Sequence, residues 1–246
     1  MMSKTYTRPQ GWQYWQSAAR WLSAPHTLIA GTTGAGKSTV LNAVMWSLLG
    51  LYLPSQARYM LIDPKGTELR KFCGLSDYCA GYAVNARDAE RILDRAITEM
   101  ESRNRIAASK DPSGFNCDYN GPELYIIIDE LADLMTEDNA REIKRKLQKL
   151  LQLGRSARVH VIAATQAPNR KIIPAELTLN FTNRVALRCV SAIESRQIVN
   201  VAGAERLPEH GRAIELSPKG LNTDLPLLFL PQDALKERCD YWRAHG

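Results

Sequence analysis

The sequence predicts an α/β fold with a mostly parallel central sheet flanked by helices, and three observations support this. Short apolar runs rich in Ile, Val and Ala alternate along the chain with longer amphipathic segments of helical character. One run, Ile126-Ile127-Ile128, has no polar alternation, as expected of a strand buried on both faces of a parallel sheet. The stretch GTTGAGKST, residues 31 to 39, lies between the apolar run Thr27-Leu28-Ile29-Ala30 and the apolar, glycine-free stretch Val40 to Leu49, in the order strand, glycine loop, helix.

In chain order, residues 1–24 form a lead-in segment. Within it, 11–23 is expected as a short amphipathic helix or strand, and the aromatic residues Tyr6, Trp12, Tyr14, Trp15 and Trp21 read as packing rather than a binding surface. Strands are expected at 27–30, 58–62, 124–128, 159–164, 183–188, 211–216 and 226–230, where short β-branched and apolar runs occur. Helices are expected at 37–49, 88–109, 139–153 and 192–200. Loops are expected at 110–122, which carries Asp111-Pro112-Ser113-Gly114 and Asn120-Gly121-Pro122, and at 167–174, bounded by Pro168 and Pro174. Residues 25–230 then form the main α/β domain, and 231–246 a short C-terminal helix or tail.

Composition limits the function classes. The chain has 246 residues, 45% of them hydrophobic and 24% charged, the balance of a globular protein with a sizeable core. No apolar run reaches the roughly 20 residues that span a bilayer, and no secretory signal is visible, so a cytoplasmic location is expected. Five cysteines without a C-x-x-C pair argue against a zinc site or a disulfide framework. The net charge of +6 permits a polyanionic partner without requiring one.

Gly31-x-x-x-x-Gly36-Lys37-Ser38 is a complete phosphate-loop pattern. Backbone N–H groups must approach the phosphates closely, and glycine removes the side chains that would block them while tolerating positive φ. The loop opens a helix whose unpaired N–H groups and dipole favour anions. Gly31, Thr32, Thr33, Gly34, Ala35, Gly36, Lys37, Ser38 and Thr39 are therefore the candidate ATP-binding residues. Lys37 is expected to reach the β- and γ-phosphates, and Ser38 to ligate Mg²⁺. Asp129 ends the Tyr125–Ile128 run and is the second candidate Mg²⁺ residue; Glu130 beside it is the candidate base for the attacking water. Adjacent acids point to hydrolysis, and the lack of an N-K-x-D motif disfavours a GTPase. Gln166 closes the next apolar strand, Val161 to Thr165, and is expected near the γ-phosphate, because ligands lie beyond the carboxyl ends of parallel strands.

With these elements assigned, the chain resembles the FtsK/SpoIIIE-type DNA translocases of the FtsK–HerA superfamily of P-loop ATPases. The matching segments are PHTLIAGTTGAGKST (25–39), LIDPKGTEL (61–69), EMESRNR (99–105), YIIIDELADLM (125–135), GRSARVHVIAATQAP (154–168) and residues 183–214. The resemblance implies a RecA-like motor core, commonly a homo-hexameric ring around double-stranded DNA with ATP bound between subunits. It assigns Lys37, Ser38, Asp129 and Glu130 to the nucleotide site and Gln166 to the polar sensor, and leaves Asp63 and Lys65 of the DPK segment without a firm role. Ring motors insert an arginine from a neighbouring subunit; Arg155 is the first candidate, ahead of Arg158, Arg188 and Arg196. Arg170 and Lys171 occupy the place of a pore loop and are the candidate sequence-independent DNA contacts. The denser basic run Arg141, Lys144, Arg145, Lys146 and Lys149 reads as a solvated helix surface.

The chain differs from the larger members of this family. About 16 residues follow Leu230, too few for a winged-helix module, and no membrane helix is present. A stripped motor is expected, suited to a phage, plasmid or integrated mobile element, or to a membrane-anchored partner that supplies the missing parts. The leading expectation is an ATP-driven DNA translocase for segregation, conjugative transfer or packaging. The alternatives are a type VII-like protein-secretion ATPase and an ATP-binding structural subunit of a membrane complex.

Overall fold

The computed structural model describes residues 15–110, 118–227 and 229–245. Helix α1 (Trp15–Leu22) leads into β1 (His26–Ala30) and α2 (Lys37–Leu51). Then follow β2 (Ala57–Ile62), α3 (Arg70–Cys73), β3 (Cys79–Ala83), α4 (Ala86–Lys110), β4 (Glu123–Ile128), α5 (Leu131–Leu134) and α6 (Ala140–Leu153). A 3₁₀ turn (Arg155–Ala157) opens β5 (Val159–Thr165), which is followed by α7 (Ala175–Asn180), β6 (Asn183–Ala186) and α8 (Ala192–Val199). The hairpin β7 (Arg212–Ser217) and β8 (Gly220–Pro226) and the helix α9 (Gln232–His245) complete the described chain.

The strands form one sheet in the order β3-β2-β4-β5-β1-β6-β7-β8. All pairings from β3 to β6 are parallel, and β7 and β8 add antiparallel to that edge. The parallel core buries both sheet faces, as β4 shows. Tyr125 and Ile127 point into one apolar cluster with Trp21, Val44, Met45, Leu48 and Leu235, so α1, α2 and α9 cover that face. Leu124, Ile126 and Ile128 point into the other with Ile92, Leu93, Met100, Ile143, Leu147 and Leu150, so α4 and α6 cover the opposite face. This period-2 division places every residue of β4 in the interior.

Helix α2, which carries the glycine loop, is held from outside by α9. Arg238 donates to the Trp46 carbonyl at 2.7 Å and stacks 3.8 Å from its ring, and Trp242 Nε1 donates to the Leu49 carbonyl at 2.9 Å. Trp21 is fully buried and donates to Glu215 at 2.8 Å, in keeping with its reading as a packing residue; Tyr6, Trp12 and Tyr14 lie outside the described residues. The expected loop 110–122 is covered only in part, since 111–117 are also outside them, and Lys110 is the last residue of α4.

The strand expected at 226–230 is instead β8, at Gly220–Pro226. Gly220 takes φ +113°, which turns the chain tightly after β7. The exposed polar residues Asn222, Thr223 and Asp224 gave no hydrophobic signal for this edge strand, and Pro226, lacking an N–H, ends it. Strand β3 also has no counterpart among the expected strands. Its residues Cys79-Ala80-Gly81-Tyr82-Ala83 are mostly small, and the strand forms because β2 offers it an edge. Among the described residues, no helix is long and apolar enough to cross a membrane.

Candidate functional site

Strands β1, β4 and β5 lie side by side and parallel, so their carboxyl ends bring three loops together. The loop after β1 is Gly31–Gly36. Gly31 sits under the chain leaving β6: a Cβ there would meet Leu187 Cβ at 2.6 Å. Gly34 and Gly36 have open space around them but take φ of +82° and +94°, so conformation rather than crowding requires glycine. Backbone bonds fix the loop's entry, with the Gly31 N–H donating to the Thr165 carbonyl at 3.2 Å and that of Thr32 to the Arg188 carbonyl at 2.9 Å. Gly36 caps α2 without any side-chain bond to the first turn, which leaves that turn's N–H groups open to an anion. Ala35 is buried, and Ser38 and Thr39 lie half-buried on the first turn of α2.

Lys37 is 5% exposed and turns inward onto the acid pair. Its Nζ donates to Asp129 Oδ1 at 2.7 Å and to the Asp129 carbonyl at 2.8 Å, and lies 3.7 Å from Glu130 Oε2. Burial pushes the Asp129 carboxyl above its ordinary range against the pull of Lys37, with the negative charges of Asp63 and Glu68 adding to the push. Glu130 is held by neighbouring donors: Thr165 Oγ1 at 2.7 Å, the Gln166 N–H at 3.0 Å to Oε2, and the Ala132 N–H at 3.3 Å. Thr33 Oγ1 donates to Gln166 Oε1 at 2.7 Å and so links the glycine loop to the end of β5. The sequence-predicted residues of the glycine loop, Asp129, Glu130 and Gln166 thus form one connected polar site.

The DPK segment has a structural place. Asp63 is fully buried at the end of β2, and its carboxylate accepts from the N–H groups of Gly66, Glu68 and Leu69 at 2.9–3.0 Å, which fixes the loop beside the acid pair. Lys65 lies on that loop, 3.6 Å from Asp133.

One component of the site has no motif in the sequence. An apolar cavity of about 350 Å³ opens against Gly36 and Thr39 and is lined by Trp21, Val40, Ala43, His210, Leu227 and Phe229 among others. Its walls come from α1, α2 and the segments flanking the β7–β8 hairpin, which only the fold brings together.

The candidate arginines separate into two groups. Arg188 lies on the glycine-loop side, lining a cavity with Thr32, Thr33 and Gly34 and standing 3.5 Å from Glu209. Arg155 and Arg158 lie at the opposite end of the sheet, before a seven-residue strand that runs to the site, a separation of about 20 Å at ~3.3 Å per residue. Arg158 is paired with Glu123 at 2.6 Å, whereas Arg155 is exposed and, among the described residues, makes no ion pair. Arg196 is exposed on α8.

Arg170 and Lys171 are exposed in a tight turn just past Gln166, where Asn169 Oδ1 accepts from the Lys171 N–H at 2.9 Å. The basic run on α6 is largely neutralised within the chain. Lys144 pairs with Glu176, Arg145 with Glu142, Lys146 with Glu90 and Asp94, and Lys149 with Glu101.

Known proteins resemble this chain in sequence and in fold. The sequence profile of the FtsK/SpoIIIE family matches residues 13–112. The DNA translocase FtsK of Sporosarcina ureae is 34% identical over 227 residues, which cover 86% of this chain and 27% of that protein. The DNA translocase SpoIIIE of Bacillus subtilis is 32% identical over 235 residues, covering 88% of this chain and 30% of that protein. The chain therefore spans about a third or less of the length of these relatives. Among solved structures, the pCW3 conjugation coupling protein TcpA, a monomer form with ATPγS, superposes with a TM-score of 0.68 at 23% identity, covering 89% of this chain and 66% of that one. At this identity the likeness shows the fold alone, an α/β core around a mostly parallel sheet.

Proposed function

The chain belongs to the FtsK/SpoIIIE family, and from that premise we propose that it is an ATP-hydrolysing motor that moves double-stranded DNA. The observation that carries the reading is the connected site itself: Lys37 against Asp129 and Glu130, with Gln166 tied to Thr33 on one side and to Glu130 on the other. A site that only stored nucleotide would not need a second carboxylate held by three donors beside the phosphate loop.

The glycine loop and the open first turn of α2 bind the phosphates, and Lys37 exchanges its contact with Asp129 for them. Ser38 and Asp129 are the residues that would hold Mg²⁺, which when bound neutralises charge on the phosphate oxygens. Glu130 accepts the proton of the attacking water, and its bonds to Thr165 and Gln166 fix its direction. Gln166 and Thr33 report on the γ-phosphate, since their mutual hydrogen bond competes with any new partner there. The apolar cavity beside Thr39 takes the base, with Trp21, His210 and Phe229 near it. Arg155, too far from its own chain's site, serves the site of a neighbouring copy in a homo-hexameric ring. Arg170 and Lys171 contact DNA phosphates without reading bases. A cytoplasmic setting and a membrane-anchored partner complete the reading.

The test of the catalytic assignment is Glu130→Gln. We expect turnover to fall about 10²–10⁴-fold, the span of a lost general base, with nucleotide affinity retained. A variant that hydrolyses ATP as fast as the unchanged protein would remove Glu130 from the mechanism.

A further inference from the structure

We propose that Arg103, on α4, is a positioning residue that holds the 154–158 turn so that Arg155 projects outward to a neighbouring copy's nucleotide. The inference rests on the reading of Arg155 given above. Arg103 is only 6% exposed, which is costly for a guanidinium unless its donors are used. Nη1 and Nε are both used. Nη1 donates to the carbonyls of Pro122 at 2.8 Å, Ala157 at 3.1 Å and Arg158 at 3.3 Å, Nε pairs with Glu99 at 2.9 Å, and the guanidinium lies 4.9 Å from the Tyr119 ring centroid.

Two of those carbonyls belong to the turn that carries Arg155, and further contacts close it from other sides. Ser156 Oγ donates to Asn104 Oδ1 at 3.0 Å, one residue beyond Arg103 on α4. Arg158, in the left-handed region at φ +55°, donates to the Gly121 carbonyl and pairs with Glu123, which also accepts from His160 at 2.8 Å. At Gly154 a Cβ would meet the carbonyl oxygens of Leu150 and Val159, each at 2.6 Å, so the turn is closely packed where it begins. Within this fixed turn, Arg155 is the exposed residue and is without an ion pair among the described residues. A rigid support around one outward cation fits preorganisation for a partner's anion. Own-chain folding does not call for it, because nothing in the described chain receives Arg155.

The experiment mixes variants of the full chain on long double-stranded DNA and reads ATP turnover. Arg103→Gln alone should lose about 10²-fold in kcat, as a displaced catalytic group does, while its affinity for a fluorescent ATP analogue stays within about twofold. Mixed with Lys37→Ala, which has a dead phosphate loop but an intact Arg155, it should regain turnover well above the sum of the two separate proteins. Arg155→Ala mixed with Lys37→Ala is the reference and should regain turnover in the same way. Arg103→Lys keeps the charge and the fold but loses the fork; it should show a smaller loss with the same rescue, and it takes the place of Arg103→Gln if that variant unfolds. Rescue of the Arg155 mixture without rescue of either Arg103 mixture would overturn the positioning role and leave the trans arginine standing. Rescue of neither mixture would remove the trans arginine, and the positioning role with it. Full kcat in both Arg103 variants would overturn the proposal directly.

Discussion

At the residue scale, the structure separates residues that act from residues that hold. Asp63, an acid at the end of a buried strand that the sequence leaves without a firm role, has its carboxylate taken up by three backbone N–H groups of its own loop. Asp129, at the end of the adjacent strand, meets Lys37 instead. Strand position alone could not distinguish the two, because both follow an apolar run. His26 makes a testable case among the holding residues. It begins β1, and its Nδ1 accepts from the Val161 N–H at 3.1 Å, which requires the neutral ring. Burial, then the neighbouring His160, lowers its pKa from 6.5 to about 3. Between those values the unfolded chain binds the proton and the folded chain does not, so this contribution is complete above pH 6.5 and is lost as the pH falls towards 3. About 2 kcal/mol should be lost between pH 7 and pH 5. Urea midpoints of the unchanged protein and of His26→Asn, each at both pH values, check this: the variant should show the smaller pH dependence, and equal slopes would contradict the assignment.

At the element scale, the legible parts of the protein were those in which chemistry occupies contiguous sequence. The glycine loop, the Asp129-Glu130 pair and the Thr165-Gln166 strand end are each local, and the parallel sheet brings them together as Ile126-Ile127-Ile128 implied. The parts not legible are assembled from distant segments. The Arg103 clamp joins residues up to 55 positions apart, and the cavity beside Thr39 joins α1, α2 and the chain near Phe229. Strands β3 and β8 were missed or misplaced because edge strands with small or polar residues depend on pairing rather than on burial. The cavity reading predicts that Ala43→Leu, which fills that space from a helix position suited to leucine, raises the KM for ATP about tenfold or more. Hydrolysis of inorganic tripolyphosphate, which has no base, should be unchanged. An equal loss with both substrates would move the base elsewhere.

At the scale of the whole molecule, the sheet presents charged residues at both ends. The carboxyl end holds the phosphate loop, the acids and, just beyond Gln166, the exposed Arg170 and Lys171. The amino end presents Arg155 on a clamped turn. In the proposed ring of copies, one chain's amino end would meet the next chain's carboxyl end, so that hydrolysis in one subunit would be coupled to the geometry of its neighbour, and the proposed DNA contact near the sensor strand would couple it to the polymer. The measurement that tests this account most directly is the ATPase rate with and without long double-stranded DNA, with Lys37→Ala as the blank. The account predicts strong stimulation by DNA of any sequence, weakening as salt rises and absent in the blank. Hydrolysis abolished by Lys37→Ala but indifferent to DNA would contradict it and favour a protein cargo.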